Sequence, residues 1–400
     1  MRILMSVWAC EPGRGSENEV GYRTLLAAAS KHEVWAITNP SAVAGLRRAL
    51  PDNDVTRRMH LHPLEFGVTG DRFEHLSMVG FQRYYDAWQR QAARLARELD
   101  ASVGFDVVHH ATLSSYWTRA GVASLDVPLV WGPVGGAVNA PLRLLPELGA
   151  RGVLEEVARA LSRPILARLP PARRARRRAR FTFAQNPETA SKLSSHAEVT
   201  ILPNALATRV DAISSVQRRT SEIFFVGRLL PWKAPTLAVR ALARLENGDA
   251  SLHLCGDGPE RIRIERLAAS LGVRDRVILE GWLPRSQLLD RLARAGTLIH
   301  PSVHEEGGMC VAEALGLGTP AVCLRRGGPP EIAKDWPSDL SACVLPTTRE
   351  QTVRRMAAVI DGFLHSPPPV LQSALLPRRL YETEILHAYD VAADRVGNPK

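Results

Sequence analysis

The sequence has few cysteines and no long apolar run, so it has little in common with secreted, disulfide-bonded or membrane-spanning proteins. Only five cysteines occur in 400 residues, and they are scattered and never spaced as Cys-x-x-Cys. This excludes a disulfide framework and a structural zinc site, and it predicts reduced thiols in the cytoplasm. No run approaches the roughly 18 apolar residues of a membrane-spanning helix. The short apolar run 3–10 meets a Glu-Pro-Gly turn instead of a small-residue cleavage site, so we expect a buried first strand and not a signal peptide.

Acidic side chains are absent from one strongly basic segment. The chain carries 51 basic and 41 acidic residues, a net charge of +10, and the stretch 157–187 contains nine arginines and no aspartate or glutamate. The excess charge is therefore local, and this segment is what needs an explanation. Aromatic residues make up 6% of the chain and are not interleaved with these arginines, which argues against a nucleic-acid partner whose bases would stack there.

An apolar stretch with helical periodicity, 158–169, precedes the densest part of this segment, Arg173–Arg180. Pro164 interrupts the stretch, so we expect a pair of amphipathic helices. An apolar face beside a basic cluster is typical of proteins that dock on anionic lipid. Two interpretations stay open: a protein bound peripherally to the inner face of the membrane, or a solvated arginine-rich helix.

The sequence does contain a repeated unit of strand, glycine turn and helix. The run 2–8 leads into the glycine-bearing turn 12–17 and a helix. About 220 residues later, the run 222–226 leads into Gly227 and a helix predicted over 235–245. This is the opening unit of a doubly wound α/β domain. Further buried strands are predicted at 32–38, 107–109, 127–131, 181–184, 251–255, 276–279, 297–300 and 320–324.

We therefore predict an α/β protein with two Rossmann-like domains. The first takes residues 1–204 and the second takes residues 205–378, with the polar stretch 205–221 as the connection. The last predicted helix, 379–396, can pack on either domain.

The loop and helix at 300–320 carry the strongest chemical signal. A strand ends at His300, a loop with Gly307 and Gly308 follows, and an Ala/Leu-rich helix begins near Met309. The exposed N–H groups of such a helix start form an anion site suited to a diphosphate.

Glu305 and Glu313 flank this helix start, one in the loop and one on the second turn. Both carboxylates can face one crevice, where they would accept hydrogen bonds from sugar hydroxyls. The alternative is that Glu305 is an acid favoured by the helix dipole and Glu313 is a solvated helix residue.

Arg228 and Lys233 follow the strand 222–226, at the end of the sheet where ligands of open α/β folds bind. A guanidinium and an ammonium beside an anion site can neutralise a diphosphate without a metal ion. We therefore expect no metal and no other cofactor. Asp52 and Asp54 match an Asp-x-Asp metal motif, but they stand in a polar loop with no accompanying motif, so chance is the favoured interpretation.

Four motifs occur together: Asn204 after Ile-Leu-Pro, a Gly-Arg-Leu turn ending at Lys233, Gly-Asp-Gly-Pro at 256–259, and Glu-x7-Glu at 305–313. In this order and spacing they resemble the retaining glycosyltransferases of family four, the glycosyl transferases group 1. The resemblance covers most of the C-terminal half and is looser in the N-terminal half. It implies the GT-B fold, in which two Rossmann-like domains face each other across a cleft, with the acceptor on the N-terminal domain and a nucleotide-sugar donor on the C-terminal one.

The resemblance implies a role for each matching residue. Arg228 and Lys233 would grip the donor diphosphate. Glu313 would hold the ribose hydroxyls, and Glu305 would contact the transferred sugar. The other donor-binding positions are Gly15, whose loop closes on the donor, and the backbone amides of Gly308, Met309 and Cys310.

The histidines match the family less closely. In many relatives a strand ends in His-x-His and the second histidine meets the donor sugar, whereas here His109 and His110 are followed by alanine. Strand alternation puts the two side chains on opposite faces, so both stay candidates, as does a structural strand-end histidine. The acceptor candidates are Glu17, Gly135 and Gly136, with a structural turn as the alternative for the two glycines.

The implied activity is transfer of a hexose-type sugar from a UDP- or GDP-sugar to a small-molecule or glycan acceptor, as in bacterial natural-product or cell-surface glycan biosynthesis. No carboxylate is placed as a nucleophile, so we expect front-face substitution with retention, in which the leaving phosphate takes the acceptor proton. A sugar phosphorylase or an inverting transferase on the same fold stays open, because the fold does not fix the reaction. So does a lipid-surface glycosyltransferase that docks through the arginine-rich segment.

Overall fold

Strands and helices alternate through both halves of the chain. The computed structural model describes residues 1–66, 78–193, 198–207, 219–368 and 379–394, together with Val210 and Pro377. The strands are β1 (Arg2–Ser6), β2 (Glu33–Thr38), β3 (Met59–Pro63), β4 (Val107–His110), β5 (Leu129–Val134), β6 (Ala179–Ala184), β7 (Glu198–Ile201), β8 (Arg219–Val226), β9 (Ser251–Cys255), β10 (Val277–Gly281), β11 (Ala295–His300), β12 (Ala321–Leu324) and β13 (Ser341–Val344). The helices are α1 (Ser16–Ala29), α2 (Pro40–Ala49), α3 (Asp54–Arg57), α4 (Met78–Val103), α5 (Gly149–Leu166), α6 (Pro170–Arg178), α7 (Pro187–Ala190), α8 (Pro235–Leu242), α9 (Arg261–Ser270), α10 (Arg285–Arg294), α11 (Met309–Gly316), α12 (Gly328–Ala333), α13 (Arg349–His365) and α14 (Tyr381–Asp394).

The first of two units contains residues 1–137, 162–207 and the C-terminal stretch from Arg379. Its parallel strands follow the order β3-β2-β1-β4-β5-β6-β7. β1 and β4 are neighbours at the point where the winding reverses, as in a Rossmann fold. β1 is buried along its length through Ile3, Leu4 and Met5, as expected of a parallel strand covered on both faces.

The C-terminal helix α14 packs on this first unit. The Tyr389 hydroxyl lies 2.8 Å from Nδ1 of His109 on β4, and the Tyr381 hydroxyl lies 2.9 Å from the Thr24 hydroxyl on α1. Both tyrosines are fully buried. The sequence predicted this helix but did not assign it to one domain, and in the structure it belongs to the first unit.

The second unit contains residues 138–161 and 208–378, and its parallel strands follow the order β10-β9-β8-β11-β12-β13. This is again the Rossmann order, with β8 and β11 at the reversal point. The two-sheet α/β architecture predicted from the sequence is confirmed.

The assignment of residues 138–161 differs from the prediction, which placed them in the domain 1–204. Leu144 and Leu148 are buried in the core of the second unit. The buried Glu147 carboxylate accepts a 3.0 Å hydrogen bond from the Thr236 hydroxyl of α8. These contacts join distant parts of the chain, so the local sequence pattern carries no sign of them.

Two further details differ from expectation. Pro164 does not split the helical stretch in two, because it lies in the last turn of the continuous helix α5, where its missing N–H costs a single backbone hydrogen bond. Most of the predicted connection 205–221 lies outside the described residues, and β8 already begins at Arg219. Among the described helices, none is both long and apolar enough to cross a membrane.

Candidate functional site

The site lies in the second unit, at the carboxyl ends of β8 and β11. These neighbouring strands send their connections to opposite sides of the sheet, which leaves a crevice between them. The two loops that follow the strands are joined by hydrogen bonds to the carbonyl of Trp232: the Val303 N–H donates at 2.9 Å and the Ser302 hydroxyl at 3.1 Å. These hydrogen bonds therefore hold the turn that carries Lys233 against the loop that carries Glu305.

A buried group of charges occupies this crevice. Lys233 forms an ion pair with the Glu305 carboxylate. His300 Nε2 donates to the same carboxylate at 3.0 Å, while His300 Nδ1 lies 3.3 Å from Sγ of Cys310. His300 is fully buried at the end of β11. The sequence placed His300 at the strand end but did not single it out, because its two partners become visible only in three dimensions.

The protonation states of this group follow from its contacts. Burial alone would lower the pKa of His300, but Cys310 and Glu305 raise it to about 9. Burial would raise the pKa of Glu305, yet Lys233 and His300 hold it well below its usual range. The pKa of Lys233 is raised by Glu305 against the opposing effect of burial. At neutral pH the cluster thus contains two cations and one carboxylate, and its surplus positive charge favours an anionic ligand.

The N-terminus of α11 adds to this positive potential. Gly308 precedes the helix with φ of 107° and has no side chain that could cap it. The helix dipole and the first backbone amides are therefore not neutralised by a capping side chain. The helix starts with Met309 and Cys310, the residues predicted to cradle a phosphate. The backbone at Gly327 and Gly328 packs closely against the loop that carries Glu305. A Cβ atom on Gly327 would lie 2.0 Å from the Glu305 carbonyl oxygen, and the Gly328 N–H donates to that oxygen at 3.1 Å.

Glu313 is buried on the second turn of α11 and forms an ion pair with Arg285, the first residue of α10. It is therefore not the solvated helix residue of the alternative interpretation. Arg285 went unnoticed in the sequence, where it is one of many arginines. Arg228, in contrast, is exposed directly after β8, and within the described part of the chain its side chain makes no ion pair or hydrogen bond.

The segment 138–161 fixes the loop from its other side. Glu156 accepts a 2.7 Å hydrogen bond from the Ala140 N–H and a 3.1 Å hydrogen bond from His304 Nδ1. Burial opposes ionisation, but His304 and the neighbouring donors lower the pKa of Glu156 to about 2. Glu306 accepts from the Val138 N–H at 2.9 Å. Of the two adjacent acids in the loop, Glu305 lies in the charged crevice and Glu306 is held by this segment.

The remaining candidates lie in the first unit. Gly15 precedes α1 with φ of 94°. The Glu17 carboxylate accepts a hydrogen bond from the Leu113 N–H, and burial raises its pKa while that bond opposes the rise. Gly135 is held by backbone hydrogen bonds, donating to Ser114 at 2.9 Å, as a structural turn would be. These contacts hold Glu17 and Gly135 in place, and the acceptor role of Glu17, Gly135 and Gly136 stays a prediction.

The two histidines of β4 differ sharply. His109 uses both ring nitrogens, bonding the Tyr389 hydroxyl and the Gly132 carbonyl, each at 2.8 Å, and burial lowers its pKa to about 4. His110 is equally buried, with a pKa lowered to about 3 by burial and by His109, yet neither of its ring nitrogens has a hydrogen-bond partner in the described structure. His109 is therefore a neutral core residue, and His110 alone keeps unused hydrogen-bonding capacity.

The Asp-x-Asp match is a solvent-exposed helix start. Asp52 and Asp54 both pair with Arg57, and the Asn53 side chain caps α3. Within the described residues, no group of three or more His, Cys, Asp and Glu side chains is arranged to hold a metal ion.

A known protein family matches the part of the chain that contains the crevice. Residues 210–367, which contain every element of the crevice from β8 to α11, match the family of glycosyl transferases group 1. This part of the chain belongs to that family. The 2-deoxystreptamine glucosyltransferase of Streptomyces kanamyceticus is 35% identical over 152 residues, which are 37% of this chain and 38% of that protein. The chain spans less than half of the length of the curated relatives it matches.

Solved structures resemble the whole chain at low sequence identity. The lipopolysaccharide outer core galactosyltransferase WaaB, in its apo form, is 13% identical with a TM-score of 0.59, over 99% of this chain and 100% of that one. Anabaena Alr3699/HepE in complex with UDP is 15% identical with a TM-score of 0.53, over 99% and 95%. At this identity the likeness shows the fold, which is that of the GT-B glycosyltransferases, as predicted.

Proposed function

We propose that this group 1 chain is a retaining hexosyltransferase that takes its sugar from a nucleoside diphosphate donor, a UDP- or GDP-sugar. The observation that carries the proposal is the crevice between β8 and β11. There Lys233 and His300 share the carboxylate of Glu305 beneath the uncapped start of α11. A surplus of buried positive charge at a helix N-terminus suits a diphosphate.

Each residue then has a distinct task. Lys233 and the start of α11 bind the diphosphate, and the exposed Arg228 closes on it from the neighbouring turn. Glu313, held in place by Arg285, accepts hydrogen bonds from the ribose hydroxyls. Glu305 accepts hydrogen bonds from the hydroxyls of the transferred sugar.

The reaction breaks the bond between the anomeric carbon and the diphosphate oxygen. Negative charge develops on the leaving oxygen, and the fixed cations and the helix dipole stabilise it. The acceptor oxygen attacks from the same face and passes its proton to the departing phosphate, which gives retention. No metal or other cofactor is needed in this scheme, because side-chain and backbone charges neutralise the diphosphate.

His110 is the candidate for contact with the transferred sugar from the first unit. Both of its ring nitrogens are buried and have unused hydrogen-bonding capacity. The role proposed for His109 from the sequence is withdrawn, because both of its nitrogens serve the core.

The acceptor is a small molecule or a glycan. The relatives include a 2-deoxystreptamine glucosyltransferase and a lipopolysaccharide core biosynthesis glycosyltransferase, LpsE, from Rhizobium meliloti. Natural-product and cell-surface glycan pathways in the cytoplasm are therefore the two settings to test.

A thermal-shift screen against UDP, GDP, ADP, CDP and TDP tests the donor class. A ligand that binds only the folded protein raises its melting temperature, so we expect one diphosphate, UDP or GDP, to stabilise the protein and Lys233→Ala to remove the effect. With the matching sugar donor, proton NMR of the product then reads the anomeric configuration. An inverted product, or cleavage of a glycoside that depends on added phosphate, would favour the inverting or phosphorylase alternative.

A further inference from the structure

Two cysteines face each other across neighbouring strands of the second unit. Cys323 on β12 and Cys343 on β13 are direct partners in the parallel register of these strands. Partners in register point to the same face of a sheet, and adjacent strands lie about 4.7–4.9 Å apart. The two sulfur atoms are 3.3 Å apart, and both thiols are free. Because a disulfide joins residues whose Cα atoms are about 4.4–6.8 Å apart, this pair can be bridged without a change in strand pairing.

The two thiols differ in their access to solvent. Cys323 is fully buried in the sheet, whereas Cys343 is half-buried on β13, the strand at the edge of the sheet. A dissolved reagent can therefore react with Cys343 directly but reaches Cys323 only through Cys343. This is the arrangement of an attacking thiol and a resolving thiol, in which the first forms a mixed disulfide and the second displaces the reagent.

The contacts of the pair favour ionisation of the accessible thiol. The hydrogen bond from Cys323, together with the nearby Arg325, lowers the pKa of Cys343 against the opposing effect of burial. The same hydrogen bond and burial raise the pKa of Cys323. Since the thiolate is the reactive form of cysteine, Cys343 is the attacking group and Cys323 is the resolving one.

The other three cysteines are placed differently. Cys10 and Cys255 are buried, and burial raises the pKa of each thiol to about 12. Cys310 is half-buried, but its Sγ has the imidazole of His300 as its partner, with Nδ1 at 3.3 Å. Access to solvent and contact with a second sulfur thus coincide at Cys343.

We propose that Cys343 and Cys323 form a redox-active dithiol, which small-molecule disulfides such as glutathione disulfide convert into an intrachain disulfide. The Cys343 thiolate attacks one sulfur of glutathione disulfide, so a mixed disulfide forms and one glutathione leaves. Cys323 then attacks Cys343 Sγ, and the second glutathione leaves. The protein dithiol loses two electrons, glutathione disulfide gains them, and the two protein protons end on the two released glutathione thiols.

This modification site lies beside the donor crevice but is distinct from it. On the side of β12 that faces β11, Cys323 is the register partner of His300. The disulfide therefore forms one strand away from the crevice, and the crevice residues take no part in the reaction. Its formation does not depend on the proposed transfer reaction.

Peptide mapping of the full chain after treatment with glutathione disulfide tests the proposal. The folded protein is treated, the remaining thiols are alkylated in denaturant, and the digest is read by mass spectrometry. We expect a pair of peptides joined through Cys323 and Cys343, which dithiothreitol separates again.

Single variants separate the two steps. Cys323→Ser lacks the resolving thiol, so Cys343 should keep one glutathionyl group. Cys343→Ser lacks the attacking thiol, so the fully buried Cys323 should stay free. The matched control is Cys310→Ser, which removes the other half-buried cysteine and should form the disulfide at the native rate. The melting temperature of each reduced variant shows whether it is folded, and the native chain and Cys310→Ser decide the proposal if one of the other two is not.

Two results would overturn the proposal. The first is a treated, folded native chain in which Cys323 and Cys343 are both still alkylated, as expected of two cysteines that only fill space in the core. The second is a disulfide or a glutathionyl group on Cys310 while Cys343 stays free, which would make Cys310 the reactive thiol instead.

Discussion

His300 and Glu305 share a 3.0 Å hydrogen bond beneath the start of α11, although the imidazole is fully buried. The bond joins the end of the central strand β11 to the loop that precedes α11. Because Lys233 pairs with the same carboxylate, the crevice keeps a net positive charge that a diphosphate can balance. The predictions below follow from this charge balance and from the contacts that hold it in place.

Lys233→Ala should lower the transfer rate by about 10²–10³-fold, because the leaving diphosphate loses a cation that stabilises its charge. The chain should stay folded, since His300 remains as the partner of Glu305. Steady-state kinetics with the best donor measures the effect. Lys334→Ala, which removes an exposed lysine of the same unit, is the control and should retain full activity.

His300 should make stability depend on pH. Its pKa is raised from 6.5 to about 9 in the folded state, so its contribution to the free energy of unfolding is fully present below pH 6.5 and is lost as pH rises through about 9. The contribution is at most about 3 kcal/mol. Urea unfolding between these pH values should show a steeper decline for the native chain than for His300→Gln. Parallel curves for the two would contradict the assigned charge, and His365→Gln, at an exposed histidine of α13, should leave the native dependence unchanged.

Glu156→Ala should destabilise the second unit by about 3 kcal/mol, because it leaves His304 without its buried carboxylate partner. The neighbouring Glu155 is half-exposed and pairs with the exposed Arg151, so Glu155→Ala should change the free energy of unfolding by less than about 0.5 kcal/mol. Denaturant titration measures both. Equal, small effects would show that the segment 138–161 does not secure the loop.

The two histidines of β4 should respond oppositely to replacement by Phe. His109→Phe leaves the Tyr389 hydroxyl and the Gly132 carbonyl without partners, at a cost of roughly 2–4 kcal/mol in stability. His110→Phe removes two unpaired buried nitrogens, so stability should be kept while turnover falls. Melting temperature and kcat, measured side by side, separate the two. A stable, fully active His110→Phe would remove this residue from the site.

The fold could be predicted from the sequence because the central strands are buried on both faces and form uninterrupted apolar runs. Three strands were missed, β3, β7 and β13, and each lies at the edge of its sheet. β3 alternates histidines with apolar residues, and β7 is half-buried throughout. These three edge strands lack the continuous apolar pattern on which the prediction relied, whereas β10, also at an edge, begins with the apolar run Val277–Leu279 and was predicted.

The site was predictable where its chemistry is local. Lys233, Glu305 and the glycine before α11 belong to short motifs, and the structure brings them to one crevice. His300 and Arg285 were missed because their importance depends on through-space partners; Arg285 lies 28 residues from Glu313 in the chain. The contacts of Glu156 could not be predicted either. They depend on the segment 138–161, which lies in the first half of the sequence but belongs to the second unit.

Titration calorimetry with a nucleoside diphosphate and its monophosphate tests the central claim most directly. The ligands are the diphosphate that stabilises the protein most and the corresponding monophosphate, each added to the native chain, Lys233→Ala and Lys334→Ala. We predict that the native chain and Lys334→Ala bind the diphosphate at least about tenfold more tightly than the monophosphate, and that this difference disappears in Lys233→Ala. Equal affinity of the native chain for both ligands, or a difference that persists in Lys233→Ala, would contradict the assignment of the crevice as the diphosphate site.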